Sequence, residues 1–236
     1  MRSFWRTLDR GTLRDIALVC LADAVVGASF GAITVSGGLP AWIPVAMSLL
    51  VFAGGAQFAA IGVLLAGGSA AAAILAGLVL NTRLLPYGFA AGDVVDGPWW
   101  ARLIGAHVLT DETVAFALRQ PDHRRRRAAF CVCGLLLFVT WNLAVAAGAA
   151  AGRLIGNTSA IGLDAVFPAV MLALVLPALA DRGLRNAALA GAVVAVAVTP
   201  VLPSGLPVLV ALAGLVLVEP KGRLKALRRR AEGTAQ

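Results

Sequence analysis

Residues 42–66 read WIPVAMSLLVFAGGAQFAAIGVLLA, and this stretch indicates the class of fold. It contains no charged side chain. An α-helix rises about 1.5 Å per residue, so about 20 apolar residues cross a hydrocarbon core of about 30 Å. The stretch is long enough to cross, yet Gly54 and Gly55 interrupt it and the polar Gln57 follows at once. We therefore predict a membrane segment that is broken at the glycine pair.

Similar apolar runs recur along the whole chain. Hydrophobic residues make up 60% of the 236 residues and the mean hydropathy is +0.88, whereas soluble domains are roughly 45–50% apolar. We therefore predict an all-α, polytopic integral membrane protein with about seven to eight spanning or re-entrant segments. The further runs lie at 16–35, 69–90, 103–118, 128–152, 161–180, 186–199 and 206–218.

The basic residues predict the orientation of the chain. The net charge is +8, and the arginines and lysines concentrate in the N-terminal arm, at 124–127 and at 221–230. Basic segments stay on the cytoplasmic side of a membrane. We therefore place both termini in the cytoplasm and the chain in the inner (cytoplasmic) membrane. The lipid bilayer, and no nucleic acid, accounts for this charge distribution.

These features predict a simple domain organisation. Residues 1–15 are a retained cytoplasmic arm, residues 16–219 a single transmembrane domain with a basic loop at 119–128, and residues 220–236 a basic cytoplasmic tail. Residues 75–77 and 189–191 both read LAG, and a proline follows each nine residues later. This similarity is a candidate internal repeat of the kind that transporters contain.

Hydropathy leaves open the number of crossings before residue 124. A cytoplasmic N-terminus and a cytoplasmic basic loop require an even number, yet only three strong apolar runs precede the loop. Either residues 103–118 cross as a polar fourth helix, or the segment around Gly54 and Gly55 is re-entrant. A re-entrant segment is tolerated where protein or a water cavity covers its backbone.

The glycine pair is the first candidate for chemistry. Adjacent glycines allow a membrane helix to unwind, which frees backbone carbonyls and leaves a positive helix end near Gln57 that suits a carboxylate. The alternative is that Gly54 and Gly55 only let neighbouring helices approach closely. Both interpretations remain open at this point.

Charged residues inside apolar runs are the second candidate. Arg83 follows Asn81 near the end of the third run, where its long side chain either snorkels to the interface or turns inward to a carboxylate. That carboxylate is the substrate's or a protein group such as Asp23. Asp23 lies in the first run, and a carboxylate there must be paired, protonated or in contact with water. We predict a coupling or gating role for Asp23.

The third candidate is His107 with Asp111 and Glu112. On a continuous helix His107 and Asp111 share a face, so a hydrogen bond between them would form a pH-sensitive gate. The alternative is an interfacial helix with a solvated polar face. The spacing is not that of a zinc site, so we predict no metal and no other cofactor. The three cysteines lie in apolar runs and indicate no disulfide framework.

Three further residues have structural interpretations. Asn142 is predicted to hydrogen-bond between helices. Pro168 and Pro177 fall within one apolar run and should kink its helix, because proline removes a helical hydrogen bond.

Several of these segments together resemble the AzlC family of branched-chain amino acid permeases. The similar segments are 48–58 (SLLVFAGGAQF), 80–88 (LNTRLLPYG), 109–112 (LTDE) and 162–169 (GLDAVFPA), and their order and spacing agree with the family. The resemblance implies export of valine, leucine, isoleucine and methionine, together with a small hydrophobic membrane subunit of the AzlD type. It marks seven motif positions: Gly54, Gly55, Gln57, Asn81, Arg83, Asp111 and Glu112.

The chain departs from the family pattern at two positions. Leu84 follows Arg83 where members often have histidine, and Asp23 stands where apolar or small residues are expected. Two other functions remain as alternatives: a membrane-embedded enzyme that uses His107, Asp111 and Glu112, and a structural subunit of another membrane complex. The chain contains no Walker-type ATP-binding sequence, and the resemblance implies a transporter rather than an enzyme.

Overall fold

The computed structural model describes residues 7–154 and 178–202, together with positions 172, 176, 207, 210, 211 and 214. All regular elements in this part are helical, which confirms the predicted all-α class. The helices are α1 (Arg10–Ser36), α2 (Trp42–Leu50), α3 (Gly54–Leu65), α4 (Ala70–Asn81), α5 (Leu84–Ala90), α6 (Trp99–His107), α7 (Asp111–Leu118), α8 (His123–Leu154) and α9 (Arg182–Val198), with a 3-10 turn at Ala178–Ala180.

Three described segments are long and apolar enough to cross a membrane: α1, the pair α4 and α5 (Ala70–Ala90), and α8. The predicted runs at 161–180 and 206–218 lie largely outside the described residues, as do Pro168 and Pro177.

The basic residues 124–127 belong to α8 rather than to a loop, because Asp122 accepts a hydrogen bond from the Arg125 N–H (2.8 Å) and starts the helix early.

The chain forms two compact units: Met1–Gly62 with Gly77–Pro168, and Val63–Ala76 with Ala169–Gln236. In the second unit the 3-10 turn packs on α9, and the backbone of α9 at Gly191 contacts that of Ala211. The contacts discussed below all lie within the first unit.

Helices α1 and α8 form the core of the first unit and run parallel to each other. Gly27 lies against Trp141, Gly31 against Val145, and Gly152 against Ala32, so positions on both helices advance together. The basic starts of α1 and α8 therefore lie at one end of the unit, here called the basic end; the opposite end is the distal end. Parallel packing agrees with the even number of crossings that the charge pattern requires.

Two glycine pairs make this contact possible. Gly27 and Gly31 on α1 and Gly148 and Gly152 on α8 each have GxxxG spacing, and a Cβ atom on Gly148 would collide with the backbone of Ala28. In a membrane the hydrophobic effect does not drive helices together, so close backbone packing of this kind supplies much of the attraction. The spacing was readable in the sequence, although our sequence analysis did not use it.

Helices α6 and α7 form a re-entrant hairpin from the basic end. Ion pairs join Arg126 to Asp93 (2.8 Å) and Arg127 to Asp96 (2.9 Å), and they hold the segment before α6 against the start of α8. The hairpin reaches the middle of α8, where the His107 and Phe138 rings lie 5.7 Å apart.

Helix α7 then returns to the basic end. Thr113 lies opposite Gly134, and Val114 and Ala117 pack in one cluster with Phe130, which is nearer the start of α8. Residues 103–118 therefore do not form one continuous crossing helix. The helix breaks at Val108–Thr110 because Thr110 and Thr113 form a capping box that begins a new helix.

Helices α2 and α3 form a second hairpin, which enters from the distal end. Along α2, Ser48 bonds Asn142 (2.7 Å) and Phe52 reaches Phe138, with ring centroids 5.1 Å apart. Helix α3 then turns back, since Phe58 packs on Phe30 (5.2 Å), farther toward the distal end. The segment therefore forms a hairpin, as the re-entrant interpretation requires.

The break in this hairpin falls at 51–53, just before the glycine pair. Phe52 has a φ of 41°, a conformation that non-glycine residues rarely adopt. Gly54 and Gly55 are the first residues of α3, and a Cβ atom on Gly54 would lie 2.9 Å from the Trp141 ring. A break thus adjoins the glycine pair and the pair allows close packing, whereas its role in binding a carboxylate stays a prediction.

Helices α4 and α5 complete the path to the basic end. Gly77 lies near Ala56, Arg83 near Gly55, and Tyr87 packs on the cluster that contains Phe130. With α1 and the pair α4 and α5 as candidate spans, two crossings precede α8, which agrees with an even count.

This topology predicts which loops face the same side of the membrane. In a variant without Cys20, Cys131 and Cys133, single cysteines at Gly92 and Gln120 should resist an impermeant maleimide added outside whole cells, whereas a cysteine at Gly37 should react. Labelling of the Gln120→Cys variant from outside, with the Gly92→Cys variant protected, would show that α6 and α7 cross the membrane.

Candidate functional site

The three helix breaks of the first unit meet at one place. Arg83 Nη1 donates to Asp111 Oδ2 (3.0 Å), and His107 Nε2 donates to the carbonyl oxygen of Leu49 (2.9 Å). A Cβ atom on Gly55 would lie 3.4 Å from Arg83 Nη2. We call this meeting point the three-break site. It lies beside Phe138, halfway along α8.

The start of α3 contributes backbone donors to the site. The first backbone hydrogen bond of α3 runs from the Gln57 N–H to Ala53 (2.9 Å). Within the described residues, the N–H groups of Gly54, Gly55 and Ala56 have no backbone acceptor. Such free donors give a helix start a partial positive charge that attracts anions.

Arg83 turns inward rather than snorkelling to an interface. Its side chain and that of Asp111 keep 47% and 36% of their exposure, so both remain open to a ligand while they are paired. The protein partner is Asp111, not Asp23 as one interpretation suggested. Asp111 is the first residue of α7, where the helix dipole also favours a negative charge.

Two further carboxylates lie near this ion pair. Asp23 is half-buried on α1, which packs against α7, and Glu112 follows Asp111 in the first turn of α7. Among the described residues, neither Asp23 nor Glu112 has a cationic side chain within 4.0 Å. The site therefore holds three carboxylates and one guanidinium.

His107 does not bond Asp111, so that prediction is wrong. The four-residue spacing applies only to a continuous helix, and α6 ends at His107. Its ring instead lies between Phe52 and Phe138, at centroid distances of 6.0 and 5.7 Å. Together with the bond to Leu49, these contacts join the tips of the two hairpins. A catalytic arrangement of His107 with Asp111 is not present.

Gln57 is fully buried, and its amide has no hydrogen-bond partner among the described residues. Leaving such a group unpaired costs about 1–3 kcal/mol, so each case needs an explanation. A polar ligand near the start of α3 would satisfy it. The indole N–H of Trp141, which packs on Gly54, is also buried without a partner in this part of the chain.

The remaining predicted residues have simpler surroundings. Asn81 ends α4 next to the break, and within the described part its side chain forms no hydrogen bond. Asn142 bonds Ser48, which confirms its predicted role between helices. Phe138 and Trp141 line the site from α8 and were not among the predicted site residues. With Val145 they have the i, i+3, i+7 spacing of one helix face. No group of three metal-binding side chains occurs in the described residues.

The fold and the site define a polytopic helical membrane protein in which two opposed helical hairpins meet at a charged site halfway along α8. The family described as AzlC protein matches residues 18–155, more than half of the chain, and the chain belongs to this family. The match includes the three N-terminal motifs and all the residues of the three-break site.

Two relatives support the membrane assignment. They are proteins of Helicobacter pylori strains 26695 and J99, each described as an uncharacterized membrane protein, and are 33% and 32% identical to this chain over 97 residues. The alignments cover 41% of this chain and 42% of each relative, less than half the length of either. No solved structure matches the chain.

Proposed function

We propose that the protein is a secondary transporter that exports branched-chain amino acids across the cytoplasmic membrane, together with a small AzlD-type subunit. The observation that carries this proposal is the convergence of three helix breaks on Arg83 and Asp111 at mid-depth. Transporters bind substrate between broken helices near the bilayer midplane, because only there are backbone groups free to bind it.

The groups at the site are complementary to a zwitterion with an apolar side chain. Arg83 and the free N–H groups at Gly54 and Gly55 suit a carboxylate. Asp111, Glu112 and Asp23 suit an ammonium. The rings of Phe52 and Phe138 provide an apolar wall beside these charges, and Gln57 and Asn81 provide further polar contacts.

The opposed hairpins suit alternating access. The α2 and α3 hairpin enters from the distal end and the α6 and α7 hairpin from the basic end, so each is placed to open the site to one side. His107 bonds the carbonyl of Leu49 where their tips touch, which suits a gating role. Asp23 is placed for coupling to a proton gradient or to the membrane potential.

Export of preloaded, isotopically labelled amino acids tests the proposal. Cells that express the chain with an AzlD-type subunit should release valine, leucine and isoleucine faster than control cells, and a polar amino acid such as asparagine at the control rate. Cells without the subunit show whether it is required. Unchanged efflux of all four amino acids, with both proteins present in the membrane, would contradict the proposal.

A further inference from the structure

We infer that the substrate inserts its own two charges between Arg83 and Asp111, so that the ion pair of the empty protein is the template for a zwitterion. The inference rests on the proposed function and specifies how the site selects its ligand. The α-carboxylate takes the place of Asp111 on Arg83, and the ammonium takes the place of Arg83 on Asp111.

The position of the pair supports this exchange. A buried structural ion pair is closed to solvent, but these two side chains keep 47% and 36% of their exposure, at half the length of α8. A ligand that reaches the site therefore meets both charges. Partly exposed pairs have small net energies, so another pair of charges displaces them at little cost.

The surroundings favour the exchanged state on both sides. Beside Arg83, the N–H groups of Gly54 and Gly55 have no backbone acceptor among the described residues, and a substrate carboxylate on Arg83 gains them as additional donors. The side chain at position 55 is only a hydrogen atom, which leaves room there. Asp111 keeps a favourable environment without Arg83, because it lies in the first turn of α7.

The pairing of the two charges favours the same outcome. Within the described residues, Arg83 and Asp111 are each other's ion-pair partner. A ligand with only a carboxylate has to displace Asp111 from Arg83 and leaves Asp111 unpaired. A ligand with only an ammonium has to displace Arg83 from Asp111 and leaves Arg83 unpaired. A zwitterion opens the pair and leaves neither Arg83 nor Asp111 without a partner.

Equilibrium binding to the purified full-length protein, co-purified with an AzlD-type subunit, tests the inference with three ligands. They are leucine, 4-methylpentanoate, which lacks the ammonium, and 3-methylbutylamine, which lacks the carboxylate. The Asp111→Asn variant should bind 4-methylpentanoate about fivefold more tightly than the unmodified protein and leucine more weakly. The Arg83→Gln variant should bind 3-methylbutylamine more tightly and leucine more weakly.

A matched control is Asp96→Asn, which removes an Arg–Asp ion pair of 2.9 Å at the basic end and should change none of the three affinities. If Asp111→Asn does not accumulate, Asp111→Ser replaces it with the same expected result. Equal shifts of all three ligands in both variants would overturn the inference and show a purely structural pair. So would unchanged binding of 4-methylpentanoate by the Asp111 variant.

The test separates the inference from the proposed function. If the unmodified protein binds and exports leucine but the affinity for neither analogue rises in its matching variant, only the exchange is wrong. If it neither binds nor exports leucine, the proposed function is wrong and the inference with it.

Discussion

Replacing Arg83 with alanine should lower the initial rate of leucine export by about ten- to hundredfold. Within the described residues, Arg83 is the only cation at the three-break site, and a hydrogen bond to a charged group contributes about 1.5–3 kcal/mol. Arg83→Lys keeps the charge but cannot bind a carboxylate through two N–H groups in the bidentate geometry of arginine, so we expect an intermediate rate of leucine export. The measurement is efflux of labelled leucine, normalised to the amount of protein in the membrane.

Two further variants separate binding from structure. Arg102 is exposed on α6 and forms no ion pair or hydrogen bond in the described structure, so Arg102→Ala should export at the normal rate. The double variant Arg83→Ala with Asp111→Asn removes both charges and leaves neither unpaired. It should stay inactive. Recovery of export in the double variant would mean that Arg83 only neutralises Asp111.

The second large effect is on stability. Gly148→Ala should lower the melting temperature of the detergent-solubilised protein by several degrees, because the added methyl group would lie 2.8 Å from Ala28 Cα and closer still to its carbonyl oxygen. Backbone atoms cannot turn aside as a flexible side chain can, so α1 and α8 must separate. Overpacking of this kind costs about 1–3 kcal/mol.

Gly88→Ala is the matched control. Gly88 is also helical, on α5, and a Cβ atom there meets nothing within 4 Å. Because alanine forms helices better than glycine by about 1 kcal/mol, Gly88→Ala should leave the melting temperature unchanged or raise it. Equal melting temperatures for the two variants would contradict the close packing of α1 on α8.

The membrane class, the helical class and the family followed from the sequence. Runs of about 20 apolar residues have few stable solutions in lipid, so hydropathy was sufficient for the class. The motifs around Gly54, Arg83 and Asp111 were recognisable because their order and spacing are preserved along the chain. The even number of crossings followed from the positions of the arginines.

The partner of each site residue did not follow from the sequence. Asp111 was expected to bond His107 because helical periodicity was extended through Val108–Thr110, where a capping box in fact starts a new helix. Arg83 and Asp111 are 28 residues apart, and no local pattern predicts a contact over that separation. The same holds for His107 and Leu49, 58 residues apart.

The sequence by itself thus determined that the chain is a helical membrane protein with charged groups and helix breaks in its apolar runs, because hydropathy, charge and glycine content act locally. Only the tertiary structure decided that two of the broken segments are opposed hairpins and that three breaks meet at Arg83. The physical reason is that this arrangement depends on how close α1 and α8 approach, and on which helix ends their packing brings together.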